Sequence, residues 1–563
     1  MDSRSSPGKL LAFEDAEHRE SVALRFRIGP RARHRDVTFG ELRQHAAAGA
    51  GALLRAGCRR GDRVALLMPH TEELFYSFFS CLFVGLVPCV LAWPTAKMDV
   101  EKYRRNVATV VERLNADFLV TDAESVSRLG SALGRTAVLH PGALSPGPAA
   151  DPQPAREGVL FIQFSGGTTG VQKSVPVTIT ILLAQLERYT RALRISSSDS
   201  VISWLPLYHD MGLVACLLMP FLTRIPLSAF APMEWVMDPR AFLERVAQDQ
   251  STLAWLPNFA FSFMATRIKG ELNGLDLSSL RAIVNCSEPV RAESAHLFVR
   301  KFASVGLRPD AIQACYAMAE TVFAVTQTEV GAPTSRLQVS RHDLSKGRLT
   351  PAVENSRCLV SSGTPLAGTE VKIVDENGRD RAPDEVGEIL VRAPFVMDGY
   401  LDMSEENRAL AFADGWYRTG DLGALWKGEL FVTGRKKDVI IVGGVNVFPE
   451  DAEAATNGVE GVHAGRCAAF GVEDAELGTD RLVIVAEVHE AKDLALSDAI
   501  EPAIRAAVLA EVGIAPHKVF LVPPHWIVKS TAGKISRSET RARLLDHWQQ
   551  LTKDGSGIPL PSA

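Results

Sequence analysis

Val159-Leu160-Phe161-Ile162-Gln163-Phe164-Ser165-Gly166-Gly167-Thr168-Thr169-Gly170-Val171-Gln172-Lys173-Ser174 decides how the rest of the chain is read. The apolar run Val159 to Ile162 has the length and composition of a buried strand. It leads directly into a loop whose three glycines let backbone approach a ligand without a Cβ in the way. The hydroxyls of Ser165, Thr168 and Thr169 and the ammonium of Lys173 can then converge on one point, an arrangement suited to polyphosphate. It is not a Walker A loop, which places glycine directly before the lysine where this chain has Gln172. Read alone, the stretch also fits an ordinary flexible surface loop.

Outward from this loop, helix and strand patterns alternate. Phe39 to Arg55 has helical spacing with Gly57 beyond its end, and Arg63 to Met68 reads as a short strand. Leu74 to Ala92 is apolar and uncharged, but Gly85 and Pro88 interrupt it. A buried helix, a turn and a buried strand are therefore expected there, with no integral membrane segment. The βαβ rhythm predicts an α/β fold: a large N-terminal domain of parallel-sheet subdomains with helices, plus a small mobile α+β C-terminal domain. The expected division is 1–436 and 437–563, with Leu482 to Val488 strand-like and Ala499 to Glu511 helical in the smaller part. A Pro/Ala-rich connection at 141–157 precedes the glycine-rich loop, and Gly555 to Ala563 reads as a frayed tail.

Bulk properties narrow the function classes. At 563 residues the chain exceeds what one core supports. A formal net charge of −5 provides no basic field for nucleic acid. The eight cysteines include no CxxC pair that would suggest zinc, and Met1 to Lys9 lacks the apolar core of a secretory signal. A cytoplasmic enzyme with reduced thiols is the expectation.

Further polar clusters follow in order. Ser203 to Gly212 (SWLPLYHDMG) gathers Trp204, His209 and Asp210; Tyr316-Ala317-Met318-Ala319-Glu320-Thr321 sets a carboxylate just beyond an aromatic ring. Tyr417-Arg418-Thr419-Gly420-Asp421-Leu422-Gly423 presents an aspartate in a glycine-bounded turn. Gly434-Arg435-Lys436-Lys437-Asp438, Gly443-Gly444 and Ser530-Thr531-Ala532-Gly533-Lys534-Ile535-Ser536-Arg537 complete the series. Taken singly, the charge run reads as a solvated face, Tyr316 and Trp204 as core aromatics, and His209 as a structural histidine.

Together, in this order and over nearly the whole length, they resemble the adenylate-forming superfamily of acyl-CoA synthetases, acyl-AMP ligases and peptide-synthetase adenylation domains. Ser203 to Leu213, Leu256 to Phe261, Leu275 to Leu280 and Ser287 to Val290 are most similar to fatty acyl-AMP ligases and related acyl-CoA synthetases. The resemblance implies ATP, Mg²⁺ and CoA as cofactors and a carboxylic acid as substrate. It places Thr168, Thr169 and Lys173 on the ATP phosphates, and Tyr316 against adenine with Ser287, Glu288 and Pro289 as the opposite wall. Glu320 would hold Mg²⁺, Asp421 the ribose hydroxyls with Arg435 in support, and Lys437 the hinge. Lys534 would reach the substrate carboxylate and the α-phosphate, with His209 a further catalytic candidate. Trp204, Met211, Asn258, Phe259, Asn285, Cys286 and Met318 form the candidate acyl pocket, mostly apolar with two amides.

The chain departs from the family pattern at Gln172-Lys173-Ser174, where Pro-Lys-Gly is usual, and at Ala317 and Ala319, which replace Gly and Thr. An enzyme confined to thioester formation from a preformed adenylate, or a non-catalytic nucleotide-binding homologue, are the readings these changes keep open. Two acceptors compete for the acyl group. Gly443-Gly444 resembles the pair along which pantetheine passes in acyl-CoA synthetases, and because it is local to the chemistry an acyl-CoA ligase is the expected reading. Arg336 to Val353 resembles the extra segment of the fatty acyl-AMP ligases, which hinders the rotation CoA transfer requires and favours an acyl carrier protein.

Overall fold

The computed structural model describes residues 16–28, 33–94, 100–122, 125–126, 136–140, 148–155, 157–165, 173–401, 403–474, 479–529 and 534–553. Two sheets dominate the larger lobe. One has the strand order Ala137–Leu139, Phe118–Val120, Arg63–Leu66, Val87–Val90, Val159–Phe164, Ser174–Thr178. Its pairings are parallel except the last, in which Val159–Phe164 and Ser174–Thr178 run antiparallel on either side of the glycine-rich loop. The second is nine-stranded, and its central strands Val201–Ser203, Leu253–Leu256, Ala282–Asn285 and Ile312–Ala317 are parallel. Strands buried on both faces need continuous apolar runs, which is how Leu253–Leu256 and Ala282–Asn285 read.

Local chemistry sets the helix limits. Thr38 caps Phe39–Arg55: its hydroxyl accepts from Glu41 N at 3.1 Å while Glu41 Oε2 accepts from Thr38 N at 2.8 Å. Gly57 follows with φ at +101°, which a side chain rarely adopts. The apolar stretch from Leu74 divides as its glycine and proline require, into a buried helix Glu72–Phe83 and a buried strand Val87–Val90. No helix among the described residues is long and apolar enough to cross a membrane.

A third, antiparallel sheet joins Glu370–Val374, Gly387–Arg392, Trp416–Trp426, Phe412–Ala413 and Glu429–Arg435. The smaller lobe follows it. Its strands Val462–Asp474, Thr479–Val488 and Lys518–Val522 form one sheet with helices on both faces. Alternation along Val462–Asp474 sends Cys467 and Ala469 into a core with Ile500, Ile504 and Val508. Ala468, Phe470 and Val472 face the other way, toward Val522, Ile527 and Leu544. The three-residue turn Lys436–Asp438 joins the lobes, between Glu429–Arg435 and Ile440–Val442.

The lobes are also joined away from that turn. A sheet excursion, Arg336–Ser340 and Ser356–Val360, packs Leu344 and Leu349 in one core with Phe448 of the smaller lobe. Arg341 pairs with Glu511 at 2.6 Å and donates to its carbonyl at 2.9 Å. Arg357 pairs with Asp451 at 2.8 Å, both side chains being nearly buried.

Candidate active site

A cavity of 880 Å³ opens between the lobes and the antiparallel sheet. Of the sequence-derived candidates, Lys173, His209, Ser287, Met318, Glu320, Asp421, Arg435, Lys437 and Lys534 all line it. Thr168 and Thr169 lie outside the described residues. The two ends of their loop are tied where Ser165 N donates to the Lys173 carbonyl at 3.0 Å, and both ends face the cavity.

Asp421 sits early in the pairing of Trp416–Trp426 with Glu429–Arg435, directly opposite Arg435. The register puts the guanidinium Nε 3.1 Å from Asp421 Oδ1, and Tyr316 donates its phenol to Oδ2 at 2.6 Å. Tyr316 is itself buried among Val325, Ile373 and Ile389. Glu320 lies in a tight turn after Ile312–Ala317, where Val322 has φ at +65°, a strained value for a β-branched residue. Buried Gln163 holds that turn: its amide donates to the carbonyls of Ala319 at 2.9 Å and Val322 at 3.0 Å.

His209 and Asp210 begin a wide helical turn, Met211–Leu218, whose first amide donates to Asp210 Oδ1 at 2.8 Å. Gly212 is required there, since a Cβ would meet the Pro206 carbonyl at 2.3 Å. Burial lowers the His209 imidazole to about 3, assisted by the Lys534 charge, so the ring is neutral near pH 7. Burial raises Asp210 to about 6, against the opposing pull of its Met211 hydrogen bond and of Lys534.

Lys534 reaches the cavity from the smaller lobe and donates to the Ser287 carbonyl. Burial lowers its ammonium below the usual lysine value, while Glu288 and Asp210 oppose that shift. Arg537 anchors the base of this segment. Its guanidinium contacts Glu453 at 2.7 Å, Asp438 at 3.0 Å and Glu450 at 2.9 Å, tying the lysine to the turn between the lobes.

The remaining candidates lie elsewhere. Trp204, Met211, Asn258, Asn285 and Cys286 are buried behind Ser287, where Trp204 stacks on Trp235 at 3.9 Å between ring centres. Asn285 donates to Asn258 at 3.1 Å, and Cys286 lies 3.0 Å from the Met211 sulfur. Phe259 is exposed, and its amide donates to Glu288 Oε2 at 3.0 Å; Pro289 is also exposed. Gly443 and Gly444 form the exposed tip of the hairpin Ile440–Val442 and Val445–Val447, away from the cavity lining. Sequence reasoning gave no role to Gln163, Tyr400, Tyr417 and Arg537: three of them stand in the motifs above, but what they do depends on partners elsewhere in the chain. Arg418 and Lys436, both on Glu388, complete the same wall.

The chain is an adenylate-forming ligase. The AMP-binding enzyme family matches residues 12–401, and the chain belongs to that family of ATP-dependent acid ligases. It is 32% identical to the medium-chain-fatty-acid–[acyl-carrier-protein] ligase JamA of Moorena producens, over 88% of each chain. A putative acyl-CoA synthetase of Caulobacter vibrioides is 29% identical over 90% of each. Among solved structures, one from studies of fatty acyl-adenylate ligases of E. coli and L. pneumophila superposes with a TM-score of 0.88. It is 27% identical and covers 97% of this chain and 98% of its own.

Proposed function

We propose that this ligase activates an apolar carboxylic acid as its acyl-adenylate and passes the acyl group to the pantetheine thiol of a carrier protein. The substrate carboxylate attacks the α-phosphorus of ATP and pyrophosphate leaves. The thiol then adds to the activated carbonyl carbon and AMP departs. In this reading Tyr316 and the Ser287–Pro289 segment enclose adenine, Asp421 takes the ribose hydroxyls, and Lys173 with the Thr168–Thr169 loop meets the phosphates. Lys534, already beside Ser287, stabilises the charge that develops at the α-phosphorus. Neutral His209 orients the acid rather than exchanging its proton.

Glu320 suits a Mg²⁺ site, being a cavity-lining carboxylate that accepts from the Tyr400 phenol, whereas Glu388 and Asp421 carry cationic partners. The bound ion would neutralise charge between the phosphates.

The interlobe clamp carries the choice of acceptor. For the Gly443-Gly444 hairpin to replace Lys534 at the cleft, Arg341–Glu511 and Arg357–Asp451 must part and Phe448 must leave Leu344 and Leu349. Parting the lobes forfeits a half-exposed pair worth up to about 1 kcal/mol and re-exposes Phe448, whose burial contributes about 1.5–3 kcal/mol. A docking protein can offset that with interface area, whereas free CoA has only its own contacts. One observation favours CoA as the second reading: a Cβ at Gly443 or Gly444 would meet no atom within 4 Å, leaving a smooth track for a thin chain. Thioester formation assayed with phosphopantetheinylated carrier protein and with free CoA separates the two. Turnover with CoA matching that with the carrier would refute the carrier reading.

A further inference from the structure

Tyr400 stands between two groups assigned above to the triphosphate. Its hydroxyl donates to Glu320 Oε1 at 2.7 Å, and its ring lies under the Lys173 ammonium at 4.7 Å from the ring centre. The backbone around it is stitched to the same two places: Met397 N donates to the Glu320 carbonyl at 2.9 Å, and Leu401 N to the Ser174 carbonyl at 3.0 Å. Tyr417 lies 3.1 Å from the Tyr400 oxygen. A phenol has one hydrogen, and Tyr400 gives its own to a carboxylate that can only accept, so Tyr417 donates to Tyr400. The result is a relay, Tyr417 to Tyr400 to Glu320, with Lys173 resting on its middle ring.

We propose that Tyr400 is a positioning residue that fixes the Glu320 carboxylate through its hydroxyl and the Lys173 ammonium through its ring, making the metal-side and lysine-side contacts to the triphosphate a single unit. The proposal rests on the roles given to Glu320 and Lys173 and adds to them a residue that acts through both. It makes separable demands on the two halves of one side chain.

Equilibrium binding of a fluorescent ATP analogue, measured with Mg²⁺ and in EDTA, tests this on the full chain. Removing a group that orients a metal-holding carboxylate typically costs ten- to a hundredfold, so Tyr400→Phe should weaken binding about tenfold with Mg²⁺ but less than about twofold in EDTA. Tyr400→Leu, which also removes the ring, should weaken binding in both conditions, by a further two- to fivefold. Acyl transfer from preformed adenylate should stay within about twofold in Tyr400→Phe, because that step lacks the β- and γ-phosphates. Equal weakening by Tyr400→Phe with and without Mg²⁺ would overturn the proposal, as would no weakening at all. Glu320→Gln run in parallel separates the causes. Mg²⁺-dependent loss in Glu320→Gln with none in Tyr400→Phe overturns the Tyr400 proposal alone, and absence of loss in both removes the Glu320 assignment beneath it.

Discussion

Lys534 and Ser287 belong to different lobes, and the lysine ammonium donates to the serine carbonyl across the cleft. Ser287 has φ at +70°, so its backbone turns in a way side-chain-bearing residues seldom adopt. The contact is one of those that hold the smaller lobe with Lys534 at the cavity. Lys534→Ala should lower acid-dependent pyrophosphate exchange about 10²–10³-fold, the usual loss for one preorganised electrostatic contact. Transfer from synthetic acyl-adenylate should persist, since in the proposed cycle that step uses the other face of the lobe. Equal losses in both half-reactions would contradict the assignment.

Asp421, the proposed ribose ligand, accepts from Tyr316 and pairs with Arg435. Asp421→Ala should raise the KM for ATP at least about tenfold, the weight of a charge-assisted hydrogen bond. Tyr316→Phe keeps the ring and removes one donor, so its effect should be smaller, about threefold. Steady-state kinetics with ATP varied and acid saturating reads both. A larger loss in Tyr316→Phe than in Asp421→Ala would reverse the order of importance.

The half-exposed Arg341–Glu511 pair is the part of the clamp that can be removed without stranding a buried charge. Such pairs contribute up to about 1 kcal/mol, so Arg341→Ala should raise the rotated population a few-fold. Thioester formation with free CoA should increase by that factor while adenylation is unchanged. Unaltered CoA turnover would mean the excursion does not restrain the lobe.

What the sequence discloses depends on whether a function is local or distant in the chain. Phe39–Arg55, and the Leu482–Val488 part of the strand Thr479–Val488, were legible because apolar periodicity and end signals are written locally in the chain. Asp421, Glu320 and Lys534 were legible because each stands in a short polar motif, and the cavity lining unites them. Tyr400 and Gln163 were not, since their significance comes from partners 80 and 156 residues away. The apolar pocket candidates were only partly legible. Their composition suits an acyl chain, but the Trp204–Trp235 stack comes from a helix the reading never singled out, Pro232–Met237. The Gly443-Gly444 hairpin is likewise local in sequence, yet its distance from the cleft is set by the lobe's orientation.

Asp210 offers a test by pH. Its carboxyl sits at about 6 in the fold against 3.8 as an ordinary aspartate, chiefly because it is buried. The folded chain therefore holds this proton over a range where the unfolded chain has released it. Between roughly pH 4 and 6 this group favours folding as pH falls, and above about 6 its ionised, desolvated form opposes folding. Asp210→Asn stays neutral throughout, so its Tm relative to wild type should be higher at pH 7.5 than at pH 5. The amide also keeps an oxygen to accept from Met211 N, so the helical turn should survive. The same substitution removes a charge that holds Lys534 protonated near Ser287, so adenylation should slow even as the fold gains stability. Thermal melts at both pH values, run beside pyrophosphate exchange, measure the two effects on one protein. A Tm difference independent of pH would show that Asp210 ionises in the fold much as it does in water.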